Sequence, residues 1–145
     1  LAKRRWKKAL SDEVIERVFY LTELHPFYMN VLCQFLWEND TIVTVEDVDA
    51  TWHHYVKAQR HIISHDIVEL SLNQRKVITA LAKAPVKAIH AAAFVAPLKM
   101  STSSVQQAIE VLVRKDLIYN NKEGFFSILD PAMKYYLDVV LWESS

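Results

Sequence analysis

Apolar residues recur along this chain at the three- and four-residue spacing of amphipathic helices, with one stretch in the second half that switches to an extended pattern. A first helix is predicted from Ser11, an N-cap candidate followed by Asp12 and Glu13, whose charges suit the positive end of the helix dipole. Val14, Val18 and Leu21, with Ile15 and Phe19 on the adjoining row, give it an apolar stripe. Pro26 disfavours helical conformation at His25, so this helix should end near Leu24. Pro26 suits the first turn of a second helix, carrying Tyr28, Leu32, Phe35 and Leu36 and ending around Glu38-Asn39-Asp40. After an extended link at Thr41-Ile42-Val43, Thr44 with Glu46 and Asp47 marks a third start. Val45, Val48, Trp52, Tyr55 and Val56 are the predicted inner face of that helix, to about Ile62, with His65 to Glu69 as the connection onward.

The second half has its own order. Ser71 opens a helix with Val77, Ile78, Leu81 and Ala82 inward, closed by Pro85. A short helix is expected from Ala88 to Val95, stopping before Pro97, and Leu98-Lys99-Met100 is a turn. Ser101 or Thr102 caps the next helix, whose Val105, Ala108, Ile109 and Leu112 face inward. The runs from Leu117 to Asn120 and from Phe125 to Leu129 read as strands around a turn containing Gly124. Asp130-Pro131 starts a last helix with Met133, Tyr136, Leu137, Val140 and Leu141. Helix, helix, helix, hairpin is the order of a winged helix. The expected fold is therefore mainly α: a small lid-like helical bundle over residues 1–66, then a winged helix-turn-helix with one β-hairpin over 67–145.

Composition narrows this further. Gly124 is the sole glycine, which leaves little room for the left-handed turns of sheets or phosphate-cradling loops. Cys33 is the sole cysteine and sits in an apolar run, so it reads as an inert core thiol, with no disulfide framework or cysteine zinc site. The longest apolar stretches are broken by charge well short of a membrane span. The basic start, Lys3-Arg4-Arg5-Trp6-Lys7-Lys8, leads into an acidic amphipathic segment rather than an apolar one, so no signal peptide is expected and the location is expected to be cytoplasmic. Net charge is zero but uneven: from Leu72 onward nine basic residues face six acidic ones, about +3, leaving about −3 for the first part.

That mild excess permits DNA contact without demanding it. On the helix after Ser101, Thr102, Ser103, Gln106 and Gln107 could meet base edges or phosphates, while Lys99, Arg114, Lys115 and Lys122 could hold phosphates. Glu110 on the same surface opposes this reading, and no arginine faces outward in the first turns. The other reading is packing against protein: a further domain of the same protein, a partner or a second copy. His54, His61 and His65 fall near one helical face, yet no Glu completes an H-E-x-x-H pattern, so a surface cluster is expected rather than a metal site. Trp6, Trp37, Trp52 and Trp142 are expected to anchor helix packing, and Phe27 and Tyr28 to lie in the core. The initial basic run is expected to be the solvated end of a helix continuing from upstream.

From Ser11 to Val140 the chain resembles the C-terminal part of AAA+/STAND-like P-loop ATPases, in which a helical lid precedes a winged helix. The resemblance centres on the segment from Leu24-His25-Pro26-Phe27-Tyr28 to Leu32, where the family reads Gly-His-Pro followed by aromatics. It continues through Leu70 to Arg75, Met100 to Val105, and Leu117 to Pro131. It implies that His25 and Pro26 lie against the nucleotide base when the upstream ATPase domain, the implied partner, binds ATP or ADP with Mg. Leu24 departs from the family's Gly. The chain has no Gly-x-x-x-x-Gly-Lys-Ser/Thr segment and no strand ending in paired acids, so it is expected to be the non-catalytic part of such a protein, not an enzyme by itself. The expected function is a nucleotide-responsive lid and winged-helix switch or interaction module; the alternative is a winged-helix module that binds duplex DNA.

Overall fold

The computed structural model describes residues 10–39 and 41–143, and the chain divides into two compact units, Leu1–Ala58 and Gln59–Ser145. Among the described residues there are eight α-helices and one two-stranded antiparallel sheet. No helix among them is long and apolar enough to cross a membrane.

The first unit is a helical bundle. Helix α1 (Asp12–Thr22) starts as its sequence dictates: Ser11 is extended and its hydroxyl accepts the Val14 N–H at 3.3 Å. It ends two residues earlier than predicted, because Glu23 and Leu24 both take positive φ, 51° and 62°. The His25 N–H then donates to the Thr22 carbonyl at 2.9 Å, closing the turn into α2 (Pro26–Trp37) with Pro26 at its first position. Helix α3 (Val45–Ala58) has a reciprocal cap. The Thr44 hydroxyl accepts the Asp47 N–H at 3.2 Å, and the Asp47 carboxylate accepts the Thr44 N–H at 2.8 Å.

The core of this unit is Val14 and Val18 from α1, Leu32 and Leu36 from α2, and Val48, Trp52 and Val56 from α3. Trp52 is its largest member; its ring stands edge-on to Tyr28 at 5.5 Å and stacks on Tyr55 at 5.8 Å. An ion pair from Arg17 to Asp49 links α1 to α3, but both side chains are over a third exposed, so water and salt screen it.

The second unit begins with α4 (Arg60–Val68), where the sequence predicted the tail of one helix and a connector. The apolar spacing runs on past Ala58 without a Gly or Pro, which is why no break was legible. Gln59, at φ −92° and ψ 5°, interrupts the helical ladder, and its carbonyl accepts from Ile62 and Ile63 to begin the new helix. Arg75 reaches back to the end of α4: its Nε donates to the Leu70 carbonyl at 3.1 Å and its Nη2 to that of Val68 at 2.7 Å.

Helix α5 (Leu72–Lys83) opens with a complete capping box between Ser71 and Gln74 and buries Val77, Ile78, Leu81 and Ala82. The chain then extends. Val86 exchanges two backbone hydrogen bonds with Phe126, at 2.8 and 3.1 Å, so the next helix starts later than Ala88. That helix, α6 (Ala92–Leu98), retains Pro97 in its last turn instead of stopping ahead of it, and Lys99 ends it at φ 54°. Only one intrahelical bond is forfeited there, since the helix has seven residues and ends just beyond.

Helix α7 (Thr102–Arg114) is capped by Ser101 and buries Val105, Ala108, Ile109 and Leu112, as its spacing requires. Strands β1 (Ile118–Asn120) and β2 (Phe126–Ile128) pair with Ile118 opposite Ile128, both buried. Their turn uses Gly124 at φ 88°, and the Asn121 carboxamide oxygen accepts the N–H groups of Glu123 and Phe125. Helix α8 (Pro131–Asp138) has Asp130 as N-cap and Pro131 first, both as predicted. Val140 and Leu141, expected on α8, lie instead on a 3-10 turn, Val140–Trp142.

The backbone at Leu24 yields a first test. A side-chain-bearing residue in the left-handed region costs about 1–2 kcal/mol, more than the ~0.5–1 kcal/mol of chain entropy that glycine adds to the unfolded state. Leu24 is more than half exposed, so little burial is lost on removing its side chain. Leu24→Gly should therefore raise the denaturant midpoint, by about 0.5 kcal/mol of stability. A lower midpoint would mean that the side chain contributes more than its exposure indicates.

Candidate functional site

The outward face of α7 holds most of the residues that sequence reasoning assigned to DNA. Ser101 gathers the start of the helix: its hydroxyl accepts the Ser104 N–H at 3.1 Å and lies 3.1 Å from the Ser103 hydroxyl. Thr102, Ser103 and Gln107 are exposed. Gln106 is half-buried, and its amide nitrogen donates to Glu110 Oε1 at 3.1 Å, so the group that would read adenine already has an acceptor. Glu110 is exposed and shares one row with Ser103, Gln107 and Arg114, at the i, i+4, i+7, i+11 spacing of a helix face. A carboxylate thus sits in the middle of the surface that would have to approach phosphates. Val113, also on that side of the helix, is 40% exposed and apolar.

The cations lie at the edges of this face. Arg114 is in the last turn and Lys115 is the C-cap residue, positions where a positive charge also complements the helix dipole. Lys99 caps α6, and Lys122 projects from the hairpin turn. A further lysine escaped sequence analysis: Lys87, whose Cε lies 3.4 Å from where a Cβ on Gly124 would stand. Pairing of Val86 with Phe126 brings it to the hairpin, and nothing local in the sequence marks that pairing. The aromatics of the hairpin form no continuous platform, because Tyr119 faces out while Phe125 and Phe126 are half-buried.

The lid-type candidates belong to the first unit. His25 and Pro26 are both exposed and adjacent at the start of α2. The His25 ring lies 4.9 Å from that of Tyr28, which continues inward to Trp52. Phe27 does not join the core as expected: it is 58% exposed, because the helix turn that sends Tyr28 inward sends its neighbour out. Leu24, in the place of the family's glycine, has the left-handed backbone that glycine adopts without strain.

The remaining candidates disperse. His54 lies on α3, whereas His61 and His65 are exposed on α4, a separate helix that begins after Gln59. Among the described residues no group of three or more His, Cys, Asp or Glu could hold a metal ion. Cys33 is half-buried, and burial pushes its thiol pKa up, which disfavours the reactive thiolate. Trp52 anchors packing as expected, but Trp37 and Trp142 are 42% and 62% exposed, the latter donating its indole N–H to the Leu137 carbonyl at 2.9 Å. Trp6 and the basic run at residues 3–8 lie outside the described residues.

The hairpin turn gives the next prediction. Gly124→Ala puts a Cβ at positive φ and against the Lys87 stem, so it should cost about 1–2 kcal/mol in chemical denaturation. An unchanged midpoint would show that the turn readily adopts another form.

A family model described as "Probable winged helix domain" matches residues 63–139, from within α4 to just past α8. No curated protein and no solved structure gives a significant match. The matched segment covers more than half of the chain and coincides with the helix, helix, helix, hairpin order described above, and the chain belongs to this winged-helix family.

Proposed function

We propose that this chain is a non-catalytic switch and interaction module, and that its winged helix contacts protein rather than reading DNA. The observation that carries this is the Glu110 carboxylate in the middle of the exposed face of α7, with the Gln106 amide turned towards it. Phosphates approaching that face would meet like charge, and freeing Gln106 would break a hydrogen bond without replacing it on Glu110. A protein surface presenting a cation and a small apolar group suits Glu110 and Val113 better.

The parent, in this reading, is a P-loop ATPase, and the helical unit is its lid. Three features support it: the His25-Pro26 pair at the start of α2, the exposure of both residues, and the glycine-like backbone at Leu24. An exposed pair of this kind is open to a nucleotide base brought by another domain. ATP or ADP with Mg would supply the differential contact that favours a closed state, and the phosphate chemistry would belong to the P-loop domain. His25 and Pro26 would contribute flat contact area against the base. In a protein carrying that domain, Pro26→Ala should weaken nucleotide binding roughly fivefold, the equivalent of about 1 kcal/mol of apolar contact. Unchanged affinity would exclude the lid assignment.

A second reading, duplex DNA binding, draws on the exposed cations Lys99, Arg114, Lys115 and Lys122, with Lys87 beside the hairpin. It predicts retention on duplex DNA at low salt, with a salt dependence that Arg114→Ala and Lys122→Ala each reduce by about one released counterion. The reading proposed first expects no such retention; a steep salt slope in the unaltered chain would overturn it.

A further inference from the structure

We draw no further inference here: the strongest candidate, the exposed apolar surface patch of Phe19, Tyr20, Leu24 and Phe27 around the turn from α1 into α2, carries nothing because nothing in the structure shows what covers it.

Discussion

The winged-helix unit is organised by one buried surface, the inward stripe of α5. Val77, Ile78 and Leu81 are fully buried, and α5 packs on α7, on α8 and on β2. Each partner answers with residues of the same kind: Ile109 and Leu112 from α7, Leu137 from α8, Ile128 from β2. Burying each such side chain contributes about 1.5–3 kcal/mol, several times the worth of any one cap or exposed ion pair in the unit. Capping at Ser71, Ser101 and Asp130 then sets where each helix begins, so that its stripe meets the others in register. The position of the hairpin follows from the same surface, since Ile118 and Ile128 must both turn inward.

The outer surface of α7 is what the core does not specify. Helix periodicity identifies which residues face out; it says nothing of how they engage each other. The hydrogen bond from Gln106 to Glu110 changes the meaning of both, turning a potential base reader into a neighbour of a carboxylate. The cations of α7, Arg114 and the C-cap Lys115, stand at its C-terminal end, past Glu110.

The helical unit is held differently, by an aromatic cluster around Trp52 rather than by an aliphatic stripe. Tyr28, Tyr55 and Trp52 lie within 6.2 Å of one another ring to ring, which gives α2 and α3 a shared wall. That wall takes up one side of α2, and α1 packs on the same helix.

Much of this was determined by the sequence alone. The winged-helix order, the inward residues of α5 and α7, the caps at Ser11, Ser71 and Asp130, and the turn role of Gly124 all rest on interactions within a few residues, and local chemistry suffices to read them; at α7 it left Ser101 and Thr102 as alternatives, and the structure has Ser101. The break at Gln59, the late start of α6, the outward turn of Phe27 and the placing of Lys87 on the hairpin depend on partners remote in the chain. Val86 is the plainest case: it lies between Pro85 and the helix expected from Ala88, and its pairing with Phe126, forty residues later, through two backbone hydrogen bonds has no local signal. Local pattern decided which faces are apolar; only the tertiary structure decided which of them are covered, because coverage depends on what the rest of the chain brings to them.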